Sequence, residues 1–587
     1  MYRAPLREMR FVLEELLQVS RLAQLPDFAD YSSDVADSIL EEAGRFAETV
    51  LDPINRTGDV QGARWTDQGV VAAPGFRDAY QQFAVGGWTQ LGTDPEYGGQ
   101  LVPQALVTAV QEIWGSANLA FKLCPMLTHG AVHALELTGT ADQKRLFLPK
   151  MINGEWTGTM NLTEPQAGSD LAQIRTRALP QGDHYRLFGQ KIFITWGDHD
   201  CTSNIIHMVL ARIEGAPAGV RGISLFIVPK VLVNDDGSLG EPNDVRCVSI
   251  EHKLGIHASP TCVLAYGEKD GAIGYLVGQP NRGLEYMFIM MNAARLSVGL
   301  EGYAVGERAY QQAAEFARTR IQGKPPVAQA EGPLPIIHHP DIKRMLLTMK
   351  ATTEACRAVS IYTAYQLDLA NHNTDEKQRV AAQARGDLLI PIVKGWCTET
   401  GNQVAAIGVQ IHGGMGFIEE TGAAQYVRDA RITTIYEGTT GIQSNDLIGR
   451  KIGRDGGAAM SSLLADMSRE LEGLEASPTQ KAALEAVGLL KDSTQSLLKA
   501  MSAKPDAAMA VSVPYLMLCG YVIGGWLMAK ASAIASGKLA GSDKAFYESK
   551  LHTARFYADQ VLPNALALAR VVQSGAESVI DTDAALI

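Results

Sequence analysis

Long basic runs, paired cysteines, glycine-rich nucleotide fingerprints and an apolar leader are all missing from this chain, and each absence removes a class of function. No stretch is rich in Lys and Arg, and the formal net charge is −12. A nucleic-acid partner is therefore not expected, because binding one needs a basic face that displaces counterions. A small anionic ligand remains compatible, since a few local cations or helix N-termini suffice for it. The seven cysteines (Cys124, Cys201, Cys247, Cys262, Cys356, Cys397 and Cys519) are odd in number, widely spaced and never CxxC. That pattern argues for free thiols in a reducing compartment and against a thiolate metal centre, so no metal is expected. No GxGxxG follows a strand-like segment, no P-loop occurs, and strand and helix patterns do not alternate, which removes the doubly wound nucleotide folds. The N-terminal "MYRAPLREMRFVLEELLQV" carries charges throughout and does not read as a secretory signal. Its Val12, Leu13, Leu16 and Leu17 share one helical face, which predicts an amphipathic helix packed on its own protein in preference to a membrane-surface anchor. The expected location is cytoplasmic, with a peripheral membrane association as the alternative.

What is present is length and periodicity. The 587 residues, 46% apolar and 20% charged, suit several globular units. Helical spacing of three and four runs through residues 1–155, as in "SILEEAGRFAETVL". Residues 156–279 change texture. "HYRLFGQKIFITW", "NIIHMVLARI", "GISLFIVPK" and "TCVLAYGE" are short, rich in β-branched and aromatic residues, and bounded by turn formers. They predict an antiparallel sheet or small barrel. Helical periodicity returns over 280–452, and a glycine-rich break leads into a further helical segment, 453–587. One uncharged stretch, 507–529, is long enough to span a bilayer. Its Pro514, Ser512 and glycines predict instead a buried helix starting near Val513, so membrane contact is not favoured.

Four segments concentrate residues able to do chemistry. "MNLTEPQAGSD" (160–170) combines Thr163 and Ser169 hydroxyls with turns at Pro165 and Gly168. It reads either as an interdomain turn capped by Ser169 or Asp170, or as a polar lip donating to a ring or phosphate. "QKIFITWG" (190–197) puts Phe193 and Thr195 two apart on a strand, a core pair or a surface for a planar heterocycle. "FARTRIQGK" (316–324) ends a helix with Arg318 and Arg320, which offset the dipole or meet a pyrophosphate. "GVQIHGGMGF" (408–417) has glycines dense enough for close approach of a ligand to the backbone, with His412 read as packed or capping. The fifth and decisive residue is Glu437 in "RITTIYEGTTGIQ" (431–443). Between Ile435, Tyr436 and a Gly/Thr turn, a carboxylate shielded from water has its pKa raised and becomes a better general base; a place beside a helix N-terminus is compatible with that.

Taken with "PEYGG" (95–99) and "GTADQKRLFLPKMINGEW" (139–156), the segments "MNLTEPQAGSDL", "GQKIFITWG", "GVQIHGGMGF" and "RDARITTIYEGTTGIQ" resemble, in order, the acyl-CoA dehydrogenase family of flavoproteins. The resemblance covers about residues 35–450, and the last segment resembles that of the extended members. It implies a mainly helical α+β fold. An N-terminal helical domain (1–155) precedes a middle β-barrel or sandwich (156–279). A C-terminal four-helix bundle carrying the acid (280–452) and an extra helical domain (453–587) follow. It also implies FAD, an acyl-CoA substrate oxidised to a trans-2-enoyl-CoA, electron-transfer flavoprotein as acceptor, and a homodimer or homotetramer. By position, Glu437 is the base that removes the α-proton. Met160, Leu162, Thr163, Phe193 and Thr195 are contacts of the flavin ring, and Ser169 lies near flavin and pantetheine. Arg320, Gln322, Gln410, Gly413 and Gly414 reach the FAD of a neighbouring subunit, with Thr439 by its phosphate or ribose. Arg295, Tyr436 and Gly438 belong with the substrate. Some members carry the base at the position of Ala294, which cannot serve. An acyl-CoA oxidase and a catalytically silent acyl-CoA-binding protein are the alternatives.

Overall fold

The computed structural model describes residues 1–325 and 332–587 and resolves them into two compact units. One comprises Met1–Gly44, Pro103–Ser116 and Arg295–Ile587; the other comprises Arg45–Val102 and Ala117–Ala294. The units cut across chain order, so the helical first 155 residues contribute to both.

The second unit is built on an eight-stranded sheet: β1 (Trp156–Asn161), β2 (Arg177–Gln181), β3 (His184–Thr195), β4 (Asn204–Ile213), β5 (Ile223–Pro229), β6 (Val245–Ile250), β7 (Thr261–Tyr266) and β8 (Ala272–Val277). The spatial order is β6-β7-β3-β8-β5-β4-β1, and β2 pairs with both β3 and β4. That double pairing closes β2, β3, β8, β5 and β4 into a ring, so the small barrel expected from the sequence is present. Its expected antiparallel character holds with two exceptions, because β1 and β2 each lie parallel to β4. A parallel strand needs a long crossover; β1 is buried along its whole length although its sequence, WTGTMN, is neither a continuous apolar run nor an alternating one. Leu187, Val209, Phe226 and Tyr266 fill the core. The helix Leu119–Thr138 starts where Asn118 Oδ1 accepts from the Phe121 N–H at 3.1 Å. A Cβ at Gly158 of β1 would stand 2.7 Å from Ala131 of that helix, so glycine sets how closely strand and helix pack.

In the first unit, the long helices Gly283–Thr319 (from Arg295 on), Pro340–His372, Glu376–Ile392 and Thr398–His412 carry the bundle. Buried charges tie it together. Arg357 meets Glu112 at 2.6 Å and Glu307 at 2.8 Å, and Lys550 meets Glu354 at 2.7 Å and also Glu8. The second cluster joins the first turn of the chain to its last 130 or so residues, and Val12, Leu13, Leu16 and Leu17 are buried as their spacing predicts. Removing one partner of such a pair costs about 3–5 kcal/mol, because the other charge stays buried.

Among the described residues, one helix, Ser512–Ser536, is long and apolar enough to cross a membrane, and 83% of its apolar window is buried inside the protein. Its glycines explain the burial. A Cβ at Gly520 would lie 2.1 Å from the Trp396 ring and one at Gly524 2.7 Å from the Tyr557 hydroxyl. The small-residue stripe thus receives two aromatic side chains. Truncating the fully buried Trp396 to alanine would cost about 3–5 kcal/mol.

Candidate active site

Glu437 occupies the turn between the 3-10 extension Ile432–Thr434 of the helix Ala423–Arg431 and the helix Thr440–Asp446. Its φ is +53° and that of Gly438 is +90°. Glycine adopts such a conformation freely, whereas for glutamate it costs on the order of 1–2 kcal/mol. Hydrogen bonds hold the turn. Gln443 Nε2 donates to the carbonyls of Glu437 (3.0 Å) and Gly438 (3.4 Å), and Lys394 Nζ donates to the Gly438 carbonyl at 2.7 Å. A Cβ at residue 438 would stand 2.7 Å from Gln443 Nε2. Thr439 Oγ1 caps the next helix by accepting from the Ile442 N–H at 3.2 Å. Among the described residues no acceptor takes the Glu437 N–H.

Glu437 is half-buried. Burial pushes its pKa up to about 7, with Arg295 and then Lys394 pulling the other way and Glu301 adding to the rise. Lys394 is buried and held down to about 8, against the pull of Glu437 and Glu301. Arg295 is 4% exposed and donates to Asp446 at 3.0 Å, and the other oxygen of Asp446 takes Arg450 Nε at 3.1 Å. Arg295, expected with the substrate, is a buried cation whose charge bears on the acid. The apolar wall expected from Ile435 and Tyr436 is corrected. Ile435 is 46% exposed, and the Tyr436 hydroxyl donates to the Glu301 carboxylate. The surroundings of the acid are charged: burial of the Glu437 carboxyl itself raises its pKa, Glu301 adds to the rise, and Arg295 and Lys394 oppose it.

In the other unit, the two segments 160–170 and 190–197 meet. The Ile192 N–H donates to the Thr163 carbonyl at 2.9 Å. From behind, Lys191 Nζ donates to the Leu162 carbonyl and to Glu164, both at 2.9 Å. Lys191 is fully buried, and Glu164, beside it and accepting from Thr176, is held down to about 2. Phe193 does not share a regular strand face with Thr195 as expected. A register shift in the β7–β3 ladder falls beside it, its φ is +59°, and its ring is 58% exposed. A bulge that turns an aromatic residue out of the ladder is a device for re-aiming a side chain. Met160, Leu162, Thr163 and Thr195 are buried or half-buried, and Ser169 is exposed. A Cβ at the adjoining Gly168 would meet nothing within 4 Å. A flat ring can rest on such a ledge, with exposed ring, hydroxyls and open space together.

Arg320, Gln322, Gln410, Gly413, Gly414 and Thr439 are all exposed. Gly413 has φ +59°, and a Cβ at Gly413 or Gly414 would meet nothing within 4 Å, so the backbone there is open to close approach. His412 is packed, its Nδ1 2.7 Å from the Gly408 carbonyl.

Sequence reading passed over Lys394, Glu301, Gln443, Lys191 and Glu164. The signal was there for the lysines. Lys394 is a lone charge in the apolar run "LLIPIVKGWC", and Lys191 the one charge in "GQKIFITWG". Such charges are buried only with partners or for a task.

Comparison with known proteins agrees along the whole chain. The family models described as acyl-CoA dehydrogenase N-terminal domain, middle domain and C-terminal domain match residues 33–155, 159–267 and 281–453. That described as acetyl-CoA dehydrogenase C-terminal like matches 460–583. A 3-methylmercaptopropionyl-CoA dehydrogenase of Ruegeria pomeroyi is 48% identical over 96% of both chains. The broad-specificity linear acyl-CoA dehydrogenase FadE5 of Mycobacterium tuberculosis is 34% identical over 100% of this chain and 99% of its own. In fold, Caenorhabditis elegans ACDH-11, solved in complex with C11-CoA, superposes with a TM-score of 0.76 at 20% identity, covering 100% of this chain and 96% of its own. Six motifs in order, a ring-closed barrel, a turn that strains a glutamate, and relatives spanning both ends lead to one assignment: the chain belongs to the acyl-CoA dehydrogenase family, in its extended form with an added C-terminal helical domain.

Proposed function

We propose that this protein oxidises an acyl-CoA thioester between its α and β carbons, with Glu437 as the base. The observation that carries the reading is Glu437 itself, half-buried in a left-handed turn held by Gln443 and Lys394, where burial raises its pKa to about 7. A base in that range is half ionised near neutral pH and remains strong enough to accept a proton from carbon once that carbon is activated. Activation needs donors aimed at the thioester carbonyl as negative charge grows on it. The Glu437 N–H, left without an acceptor among the described residues, is a suitable one. Arg295 and Lys394 keep the carboxylate accessible; without them burial would hold it protonated.

FAD, when bound, supplies the two-electron oxidant that takes the β-hydrogen as hydride. The ledge of Met160, Leu162, Thr163, Phe193 and Thr195 fits its ring system, with Ser169 at the exposed edge. The open glycines 413 and 414 with the neighbouring Gln410, and the exposed Arg320 and Gln322 of the same unit, fit a phosphate-bearing group brought by a second copy, which supports a homodimer or homotetramer. Electron-transfer flavoprotein is the proposed electron acceptor. The 48% relative makes 3-methylthiopropanoyl-CoA the first substrate to offer.

The test is anaerobic mixing of the purified yellow protein with a panel of acyl-CoAs, 3-methylthiopropanoyl-CoA and straight chains of increasing length. Bleaching of the flavin and reduction of an artificial one-electron acceptor are expected. Rapid peroxide formation in air would instead identify an oxidase, and binding without bleaching a silent acyl-CoA carrier.

A further inference from the structure

The appended segment after residue 453 has a structural link to the base. Helix Glu376–Ile392 continues into a wide turn, Val393–Cys397, in which the backbone bonds from i to i+5, before Thr398–His412 begins. Such a turn carries an extra residue and rotates the side chains that follow it, and it recurs at functional sites. All five residues are buried. One side of the turn delivers Lys394 Nζ to the Gly438 carbonyl at 2.7 Å. The other side docks on the helix Ser512–Ser536. A Cβ at Gly395 would lie 2.6 Å from Leu516, and one at Gly520 2.1 Å from Trp396 Cγ. Trp396 also packs edge-on against Tyr521, with centroids 5.8 Å apart. The start of the same helix touches the far end of the base turn, where Ser512 Oγ lies 3.0 Å from Ser444 Oγ in the helix Thr440–Asp446.

We propose that the appended domain braces the base: the helix Ser512–Ser536 seats Trp396, and through the wide turn that carries it holds Lys394 on the Gly438 carbonyl, fixing both the backbone and the charge environment of Glu437. Lys394 and Trp396 are positioning residues in this account. The inference rests on Glu437 being the base. The charged groups that bear on Glu437 are Arg295, Lys394 and Glu301, and Lys394 is faced by Glu437, Glu301, Arg295 and Glu399. Loss or displacement of the Lys394 ammonium leaves Glu301 less opposed, so the carboxyl binds its proton more tightly.

The experiment uses the holoenzyme. Lys394→Met should move the acid limb of the kcat/KM profile upward by about one pH unit, and Gly520→Ala should move it the same way, since a methyl there displaces Trp396. The double variant should shift no further than Lys394→Met alone. An infrared titration of the Glu437 carboxyl without substrate, blanked by Glu437→Gln, should report the same midpoints. Gly488→Ala, in the same domain where an added Cβ meets nothing within 4 Å, should leave limb and midpoint in place. If Gly520→Ala does not fold, Trp396→Phe replaces it with the same expectation. Unchanged limbs and midpoints in Lys394→Met or in the brace variant, additive shifts in the double variant, or an equal shift in Gly488→Ala would overturn the proposal. Turnover retained in Glu437→Gln would sink instead the assignment of the base on which it stands.

Discussion

The Glu437 turn and the Phe193 ledge both force a residue with a side chain into a left-handed backbone, at φ +53° and +59°. They hold it there by different means. The turn is held by side chains that spend their donors on its carbonyls, and two cations and a second carboxylate surround the acid. At the ledge the exposed Phe193 and Ser169 are uncharged, and the ion pair Lys191–Glu164 is buried. A group that must exchange a proton needs charges near enough to set its pKa. A surface that must receive a flat neutral ring needs its charges where they fix the backbone and leave the face clear. Strain at the two places is equal in kind, and the chemistry differs by where the charges were put.

The largest effect expected from breaking this contrast is on the turn. Glu437→Gln keeps shape and hydrogen bonding and removes the proton acceptor, so turnover should fall by about 10³–10⁴-fold with flavin retained. Steady-state rates and the visible spectrum check both. The same variant should alter stability against pH. A carboxyl group whose folded pKa stands near 7, above its unfolded value, stabilises the fold at low pH and loses that contribution as pH rises from about 4.5 to 7. Glu164, held down to about 2, does the reverse: its contribution is full above about 4.5 and is lost as pH falls toward 2. Denaturant titrations should therefore show Glu437→Gln abolishing on the order of 2–3 kcal/mol of decline between pH 4.5 and 7, and leaving the acid-side loss untouched.

Next in size is the ledge's hidden support. Lys191→Met leaves Glu164 buried without its cation, and the barrel unit should lose about 3–5 kcal/mol. Flavin affinity should fall with it, because the Leu162 carbonyl and the 160–170 segment lose their anchor. Calorimetry and cofactor release on dilution read the two effects. A variant that loses flavin affinity without losing stability would mean that the ion pair acts on the ring face directly.

The barrel was legible because alternation and β-branched content are strong local signals, and the Ser512–Ser536 helix because Pro514 and its glycines marked a packed helix. The parallel strand Trp156–Asn161 was not, since a strand buried on both faces shows no alternation. Glu437 could be picked out from its neighbours in sequence, but its surroundings could not. Arg295, Lys394 and Glu301 lie up to 142 residues away along the chain, and only the fold brings their charges to bear on it. Phe193 was legible as half of a core pair or a face for a planar ring, but its exposure and its bulge were not, because register depends on the partner strand β7 rather than on the residues of β3.

The smallest effect discriminates most finely between the two regions. Phe193 is exposed, so it contributes little packing to the fold, and its left-handed backbone costs on the order of 1 kcal/mol that glycine would not incur. Phe193→Gly should therefore leave the apoprotein as stable as before or more stable by up to about 1 kcal/mol, while weakening flavin binding through loss of the stacking face. The comparable change in the turn, Glu437→Gly, relieves the same kind of strain and should leave flavin binding intact while eliminating turnover. If both glycine variants lost flavin equally, the division between a ledge that holds the ring and a turn that moves the proton would be wrong. If neither gained stability, the strain at these two positions would be compensated by contacts of the side chains themselves.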